Sequence, residues 1–289
     1  MIVGVIGAGR VGAVLGAALE RSGHRVVAAS GASTGSKARR ARLLPGAAEL
    51  TPVEVAREAT DLLIIAVPDD ALAQVAAGVA AALRPGQVVA HTSGAHGLAV
   101  LAPVLASGAR PLALHPAMTF AGTADDLAKL AGAAFGATAE PELRPFAERL
   151  VADLGGTVEW VAEDDRVLYH AALAHGANHL VTLVNEALDR LRDAGVVHPE
   201  KVLGPLLRTS LDNTLRLGDG ALTGPVSRGD AGTVARHLDR LSAVAPESVP
   251  AYLALARRTA DRAIAAGRLR PLDAEPLLDA LTDREETTT

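Results

Sequence analysis

Residues 2–12 read IVGVIGAGRVG, a short apolar run that leads directly into a glycine-rich turn. The β-branched run from Ile2 to Ile6 is typical of a buried strand, and apolar residues at helical spacing from Val11 to Leu19 predict a following helix. A GxGxxG pattern between a strand and a helix indicates dinucleotide binding, although a glycine-rich turn also forms without a ligand. In this motif the first glycine permits a tight turn, the second lets the backbone approach a pyrophosphate, and the third allows close helix packing. The residues expected to contact a cofactor here are Gly7, Gly9, Arg10, Val11 and Gly12.

Alternating strand and helix patterns continue along the first half of the chain. They include a fully apolar strand at Leu62–Val67 and predict an α/β fold, in which a doubly wound parallel sheet forms a Rossmann domain over residues 1–161. After Val161 the strand signal ends, and long amphipathic patterns predict an all-helical substrate and dimerisation domain over residues 162–289. The first of these helical patterns runs unbroken from Asp164 to Ala194, whereas Pro205 is expected to kink or break its helix.

The composition of the 289 residues excludes several classes of protein. The chain has 28 basic and 33 acidic side chains, a net charge of -5, and only three Phe, two Tyr and one Trp, so nucleic acid is not an expected partner. Cysteine is absent, which excludes disulfides and cysteine-based metal sites and fits a reducing compartment. No apolar run reaches the roughly 18 residues of a membrane span, so a cytoplasmic protein is expected.

The second predicted strand ends at Ser30, where an NAD-specific site would place an acidic residue to bind the ribose 2′-hydroxyl. Hydroxyl and basic side chains follow Ser30, and this segment contains no carboxylate that would repel a 2′-phosphate. We therefore predict NADP (NADPH) as the cofactor, with Ser30 and Ser33 as contacts. In the alternative interpretation the basic residues form a solvated helix face; they are Lys37, Arg39 and Arg40.

Three strand ends bring further candidates to the predicted carboxyl edge of the sheet, where ligands bind in such folds. Val67 and Pro68 are expected to flank the cofactor ribose, and a strand-ending proline is the simpler alternative. Ser93 and Gly94 offer the substrate a hydroxyl and a close backbone approach, which ordinary turn chemistry also explains. His115 adds a titratable imidazole to the same edge, where a structural histidine is the competing interpretation.

One predicted helix in the second half carries polar side chains on an otherwise apolar surface. His175, Asn178 and His179 share one helix face because they are three and four residues apart. Side chains of this kind can donate a hydrogen bond to a carbonyl that is being reduced. In the structural alternative, the histidines form their hydrogen bonds at an interdomain or dimer interface. A zinc site is a weak third interpretation, since no carboxylate or cysteine lies nearby, and no metal site is predicted.

A loop between two predicted helices, residues 221–230, reads ALTGPVSRGD. The guanidinium of Arg228 can form two parallel hydrogen bonds to a carboxylate, which suits an anionic substrate, and Thr223 adds a hydroxyl. Asp230 instead fits the N-cap of the following helix, where Arg228 would merely pair with it. Both interpretations of this loop remain open at the level of the sequence.

Six segments of the chain, GAGRVG, LLIIAVPDD, HTSGA, LHPAMTF, YHAALAHGANH and ALTGPVSRGD, occur in this order and together resemble an actinobacterial-type family of uncharacterised Rossmann oxidoreductases. That family pairs a Rossmann-like domain with a helical C-terminal domain of unassigned function. The resemblance implies a relation to the 6-phosphogluconate dehydrogenase-like superfamily, which includes ketopantoate reductases, β-hydroxyacid dehydrogenases and pyrroline-5-carboxylate reductases. Relatives in this superfamily commonly form homodimers through the helical domain, so a homodimer is expected.

The resemblance also implies roles for individual residues. Ser93 and Gly94 look like the substrate-side loop, and Asn178 resembles the helix asparagine that meets the substrate. The lysine that some relatives carry one turn before this asparagine is missing, and His175 is our substitute candidate for the proton donor. The resulting hypothesis is an NADP-dependent oxidoreductase that reduces a small anionic, ketopantoate-like keto acid. The alternatives are an imine reductase of the pyrroline-5-carboxylate type and a non-catalytic NADP-binding sensor or assembly protein.

Overall fold

A computed structural model describes residues 1–286, so the last three residues of the predicted second domain lie outside the described part. The chain divides into two compact units, Met1–Ala177 and a second unit that begins at Asn178. No helix of residues 1–286 is both long enough and apolar enough to cross a membrane.

The first unit is built on one eight-stranded sheet with the order β3-β2-β1-β4-β5-β6-β7-β8. The strands are β1 (Ile2–Ile6), β2 (Arg25–Ser30), β3 (Ala48–Glu49), β4 (Leu62–Ile65), β5 (Val88–His91), β6 (Arg110–Pro116), β7 (Ala134–Thr138) and β8 (Thr157–Trp160). Its helices are α1 (Arg10–Arg21), α2 (Thr34–Leu43), α3 (Pro52–Glu58), α4 (Asp69–Val79), α5 (Ala102–Ala106), α6 (Asp125–Leu130), α7 (Arg144–Asp153) and α8 (Arg166–Leu173). The predicted fold class is confirmed.

Hydrophobic residues cover both faces of this sheet, as expected for a doubly wound fold. Along β4, Leu62 and Ile64 join the core on one face, and Leu63 and Ile65 join the core on the other. Since successive strand residues point to opposite faces, a strand buried on both sides needs the unbroken apolar run that the sequence shows.

Two details of the sheet differ from the prediction. The pair β6 and β7 is antiparallel, whereas every other neighbouring pair is parallel. Between these strands the chain forms only the six-residue helix α6, about 9 Å long, which is too short to span the roughly 23 Å of β6 and return the chain for a parallel strand. The two-residue strand β3 was not predicted, because so short a segment has no periodicity.

The first unit also extends past the predicted boundary at residue 161, because α8 packs on the sheet. Arg166 is 1% exposed, and its Nε donates to the Thr138 hydroxyl at 2.7 Å. Its Nη2 donates to the carbonyl oxygens of Ala113 and Gly136, at 3.3 and 3.2 Å. These bonds attach α8 to β6 and β7, so the unit ends only at Ala177.

The described residues of the second unit form helices that are joined by turns and loops, and they contain no strand. Its helices are α9 (His179–Asp193), α10 (Pro199–Leu217), α11 (Ala231–Val244), α12 (Val249–Ala265) and α13 (Pro271–Glu286). Its hydrophobic core comes from α11, α12 and α13, with residues such as Leu238, Leu253 and Leu277 fully or almost fully buried. By contrast, α9 has no buried residue and α10 has only Pro199.

Two features of these helices add detail to the prediction. The pattern from Asp164 to Ala194 is helical from Arg166 to Asp193, and a π-helical turn, Ala174–Asn178, lies between α8 and α9. The helix α10 does not break at Pro205 but continues to Leu217. Pro205 withholds a hydrogen bond from the carbonyl of Lys201, and both residues are exposed, so water can satisfy that carbonyl.

Candidate functional site

The glycine-rich turn has the backbone geometry that its sequence predicts. Gly7 has a φ of +88°, and a Cβ there would overlap the Ala66 carbonyl oxygen. A Cβ at Gly12 would overlap the Gly7 carbonyl oxygen, whereas one at Gly9 would meet no atom closer than 3.9 Å. The predicted turn and packing roles of Gly7 and Gly12 are therefore confirmed, and Gly9 leaves the backbone accessible.

The N-terminus of α1 is suited to an anion. Gly9 is the N-cap residue, no side chain caps the helix, and its first turn contains no acidic residue. The backbone N–H groups of Arg10, Val11 and Gly12 therefore have no partner within the helix, and the helix dipole adds positive potential there. Such groups are the ones that hold the pyrophosphate of a dinucleotide in this fold.

A cavity of about 590 Å³ lies at the carboxyl ends of β1, β2 and β4. Four predicted cofactor residues line it, namely Gly7, Ser30, Val67 and Pro68. Ser30 is buried, and its hydroxyl accepts a hydrogen bond from the Gly7 N–H at 3.4 Å. The hydroxyl of Ser33 has a structural role, because Ser33 caps α2 and accepts a hydrogen bond from the Ser36 N–H at 3.1 Å.

The structure corrects the expectation that no carboxylate lies near the candidate phosphate-binding residues. Glu49 lines the same cavity, where its carboxylate lies 3.1 Å from Lys37 Nζ and 3.0 Å from Arg40 Nη2. Lys37 first, and then Arg40, hold the pKa of Glu49 below its usual range. The pairing of the short strand β3 with β2 brings Glu49 to this position, so the sequence segment after Ser30 gave no sign of it.

A second basic pair lies beside the glycine turn. Gly122 has a φ of +79°, and a Cβ there would lie 2.8 Å from Arg39 Cδ and 3.1 Å from Arg10 Cγ. Arg10 and Arg39 therefore pack against the same glycine. Arg42 fixes this loop, since its Nη2 donates to the Gly122 carbonyl at 2.6 Å. Arg10 and Arg39 were each named from the sequence, but it was not predicted that they lie close together, and Arg42 was not named.

At the end of β5, histidine and serine shape the loop that follows. His91 Nε2 donates to the Gly97 carbonyl at 2.8 Å, and the Ser93 N–H donates to His91 Nδ1 at 3.2 Å. Burial first of all lowers the pKa of His91 to about 4, so the ring is neutral at pH 7. The Ser93 hydroxyl, which the sequence predicts to contact the substrate, accepts a hydrogen bond from the His96 N–H at 3.2 Å and so stabilises the turn.

Gly94 and His115 come together at the ends of β5 and β6, in what we call the imidazole cluster, formed by Gly94, His115, Tyr169 and His170. A Cβ at Gly94 would lie 2.8 Å from His170 Cδ2 and 3.2 Å from His115 Nε2. The Tyr169 hydroxyl lies 2.9 Å from His115 Nδ1, and the rings of His115 and His170 are 6.2 Å apart. Burial first, and then the charge of His170, lower the pKa of His115 to about 4. The cluster thus presents a neutral imidazole at the sheet edge.

Tyr169 and His170 were not among the predicted site residues, although a sequence signal was present. Arg166, Tyr169 and His170 are three and four residues apart, so they share one face of α8. The Arg166 guanidinium carbon lies 5.9 Å from the centre of the Tyr169 ring. Spacing could have shown the common face, but only the packing of α8 on the sheet brings that face to His115.

The remaining predicted residues lie in the π-helical turn or the second unit. His175 and Asn178 are both exposed in the Ala174–Asn178 turn. Thr223 is exposed and lines a cavity of about 740 Å³, and Arg228 is exposed at the end of a short 3₁₀ turn. Asp230 is the N-cap of α11 and accepts from the Thr233 N–H at 3.0 Å, as its capping interpretation predicts. Among the side chains that the structure describes, residues 1–282, no group of three histidine or acidic residues is placed to hold a metal ion.

Several solved structures share this fold at low sequence identity. A protein from Bacteroides fragilis, provisionally described as an NADP oxidoreductase, is 24% identical with a TM-score of 0.76 over 90% of this chain and 97% of its own. A reductive aminase from Aspergillus terreus, in complex with NADPH, is 20% identical with a TM-score of 0.65 over 92% of this chain and 94% of its own. A 1-pyrroline-5-carboxylate reductase from Streptococcus pyogenes is 17% identical with a TM-score of 0.61, over 91% of this chain and 98% of its own.

Family models match both parts of the chain, while no curated protein matches it. Residues 1–116 match the Rossmann-like domain, and residues 133–259 match the domain of unknown function DUF2520. The second match begins at β7 and so includes part of the first unit. The two matches follow one another in the order that the sequence predicts, a Rossmann-like domain and then a domain of unknown function, and the solved structures share the fold.

Proposed function

We propose that this protein is an NADP-dependent reductase of a small anionic substrate with a carbonyl or imine group. One observation carries the proposal: the open N-terminus of α1 and the imidazole cluster lie at the same edge of one sheet. The strands β1, β4, β5 and β6 are successive neighbours and run parallel, so their carboxyl ends meet there. A nicotinamide cofactor held at this edge supplies a hydride.

The preference for NADP rests on the basic residues beside the glycine turn. Arg10 and Arg39 pack against the same glycine, Gly122, and in this proposal they share the 2′-phosphate, while Ser30 provides a neutral strand end in the cavity. Lys37 and Arg40 contribute less, because each is already paired with Glu49. The reductive aminase that shares this fold was solved with NADPH, which agrees with the proposal.

For the substrate, we propose contacts from Ser93 and Gly94 at the sheet edge. The substrate roles that the sequence predicts for Asn178, Thr223 and Arg228 stay predictions, because these residues belong to the second unit. An imidazole then supplies the proton that reduction of a carbonyl requires. The sequence nominates His175 for this step, and the structure adds the neutral His115 as a second candidate.

Imine reduction is the second candidate function, and the structural comparisons favour it. Two of the neighbours above are a pyrroline-carboxylate reductase and a reductive aminase, whereas a ketopantoate-like substrate has no such support. A cyclic imino acid such as 1-pyrroline-5-carboxylate therefore comes first among substrates to be tested, before ketopantoate.

The test begins with equilibrium titrations of NADPH and NADH, followed by nicotinamide fluorescence at controlled ionic strength. We expect tighter binding of NADPH than of NADH, and then oxidation of NADPH with an imino acid or keto acid. If neither nucleotide binds, the reductase proposal is wrong. Tight binding without oxidation by any substrate would instead favour a sensor or assembly protein.

We also propose that the protein is a homodimer in which α9 and α10 of two copies pack together. These helices carry large apolar side chains that a single chain leaves exposed, such as Val181, Leu206 and Leu215, at 60%, 60% and 79%. An apolar surface of this extent is typical of an interface. A second copy presents the same apolar face, and two-fold symmetry covers both faces at once.

A further inference from the structure

The hydroxyl of Tyr169, which is half-buried, has an unusual environment for a phenol. It lies 2.9 Å from His115 Nδ1, and its ring occupies the space that a Cβ at Gly136 would fill, 2.5 Å from the phenol oxygen. Arg166 lies beneath the ring, and the hydrogen bonds described for its guanidinium all go to neutral oxygens. One of its nitrogens, Nη1, is buried without a hydrogen-bond partner. Among the described residues no carboxylate lies within ion-pair distance of this cation, although Glu163 acts on it from farther away, and the cation lies next to the phenol.

This environment decides which partner donates the proton in the bond between Tyr169 and His115. A buried positive charge favours the deprotonated form of each neighbouring group. Arg166 therefore makes the Tyr169 hydroxyl a stronger hydrogen-bond donor, and it disfavours a second proton on the His115 ring. The pKa values agree in direction: Arg166 opposes the rise that burial causes in Tyr169, and it helps to lower that of His115. The phenol O–H thus donates to Nδ1, which leaves the single proton of the neutral ring on Nε2.

The accessible nitrogen of His115 points toward the space left by a glycine. Nε2 lies 3.2 Å from the position of a Cβ on Gly94, so any side chain at position 94 would cover it. Gly94 follows β5 at the sheet edge where the proposed substrate binds. An Nε2–H group at this position can donate a hydrogen bond to a substrate that binds beside Gly94.

We propose that Tyr169 is a positioning residue that holds His115 in the tautomer protonated on Nε2, and that His115 is the proton donor of the reaction. This inference rests on the proposed reductase function. As the substrate carbon gains a hydride, its oxygen or imine nitrogen takes the proton from Nε2, while Tyr169 passes its own proton to Nδ1. The tyrosinate left behind lies beside Arg166. Nδ1 then returns the proton to Tyr169, and solvent restores the proton on Nε2.

The second tyrosine of the chain provides a matched control. Tyr252 also places its hydroxyl 2.9 Å from a histidine Nδ1, that of His237, with the rings 6.1 Å apart. This pair lies in the helical unit, on the wall of the 740 Å³ cavity, and contains none of the residues of the imidazole cluster. Tyr252→Phe therefore removes an equivalent hydroxyl without touching the imidazole cluster.

The decisive measurement is the tautomer of His115 by ¹⁵N-resolved NMR of the imidazole nitrogens, with His115→Gln to assign its signals. In the wild-type chain we expect a neutral ring protonated on Nε2 at pH 7. In Tyr169→Phe we expect a mixture of tautomers, and in Tyr252→Phe no change at His115. A wild-type ring protonated on Nδ1 would overturn the inference, and this result needs no variant to fold.

Kinetics with a substrate that oxidises NADPH form the second part of the test. We expect Tyr169→Phe to lower kcat about tenfold and His115→Gln about 100-fold, with NADPH affinity unchanged in both. Full activity of His115→Gln, or a loss confined to His175→Gln, would contradict the assignment of the donor. If no substrate is reduced, the proposed function fails by itself, and the tautomer measurement still decides the role of Tyr169.

Discussion

The two histidine–tyrosine pairs have nearly the same geometry but very different surroundings. In both, the hydroxyl lies 2.9 Å from Nδ1, and the rings are close to perpendicular, at 86° for His115–Tyr169 and 88° for His237–Tyr252. Burial raises the pKa of each phenol, but only at Tyr169 does a neighbouring guanidinium oppose the rise. The acidity of the tyrosine in such a pair therefore depends on the charged groups packed against its ring, here the Arg166 guanidinium.

The same contrast separates the two units as a whole. In the sheet unit, hydrophobic contacts on both faces of the strands fix each strand end, so small groups such as Gly94 and His115 meet at defined distances. In the helical unit, α9 and α10 contribute almost nothing to the core of a single chain. This contrast fits the two proposals made above, a ligand site on the sheet unit and a dimer interface on α9 and α10.

The largest expected effect comes from glycines with the same backbone conformation in the two units. Gly7→Ala places a Cβ against the Ala66 carbonyl at a φ of +88°, whereas Gly224→Ala has a φ of +93° and open space. We expect Gly7→Ala to cost about 3 kcal/mol from left-handed strain plus overlap, and Gly224→Ala only about 1 kcal/mol.

Urea unfolding checks this difference. The fluorescence of Trp160, the single tryptophan of the chain, reports on the sheet unit, and circular dichroism follows the helices. NADPH affinity should be lost in Gly7→Ala and kept in Gly224→Ala. Equal losses of stability in the two variants would show that crowding around Gly7 has no energetic importance.

The next effect is a pH dependence of stability in the sheet unit. The folded pKa of His91 is about 4, below its ordinary value of 6.5, so the unfolded chain takes up a proton first as the pH falls. Stability is fully present above pH 6.5 and is lost between pH 6.5 and 4. Between pH 7 and 5 the loss is about 2 kcal/mol for this residue, and His115 acts in the same direction.

Urea unfolding followed by Trp160 fluorescence at pH 5, 6 and 7 measures this slope. In His91→Gln, lower stability at pH 7 should be accompanied by a distinctly flatter slope, because the remaining contribution comes from His115. A slope that is unchanged in this variant would contradict the low folded pKa of His91.

Dimerisation should depend on the helical unit and not on the sheet unit. Leu206 on α10 and Leu105 on α5 are equally exposed, at 60% and 61%. We expect Leu206→Glu to weaken dimerisation about 30-fold, roughly 2 kcal/mol, because the symmetric interface buries the charge twice. Sedimentation equilibrium measures the change, with Leu105→Glu as the control of matched exposure. A dimer that is weakened only by Leu105→Glu would place the interface on the sheet unit.

The smallest effect separates the roles of two arginines. Arg39→Ala should weaken NADPH binding about tenfold and leave NADH binding unchanged, because it removes a contact to the 2′-phosphate. Arg228→Ala should leave both nucleotide affinities unchanged and raise the KM of an anionic substrate. Fluorescence titration and initial rates check these expectations. Equal weakening of NADPH and NADH by Arg39→Ala would mean that this residue does not contact the 2′-phosphate.

Several features of the sheet unit could be predicted because they are local. The apolar runs of β1 and β4 and the glycine turn each follow from a few consecutive residues, and the structure has them where the sequence predicts. The positions of Glu49 and Arg39 could not be predicted in this way. Glu49 reaches the cavity through a two-residue strand, and Arg39 comes near Arg10 because both pack against Gly122, which is distant in the sequence.

The sequence by itself determined the Rossmann architecture, the glycine turn and the helical character of the second half, since hydrophobic periodicity and backbone preferences act over short stretches. Only the tertiary structure decided the site, because His115 and Tyr169 are 54 residues apart. Their contact depends on Arg166, which is buried between β6 and β7 and fixes the orientation of α8 through hydrogen bonds to both strands. No local pattern encodes a contact between a strand end and a helix that packs on it.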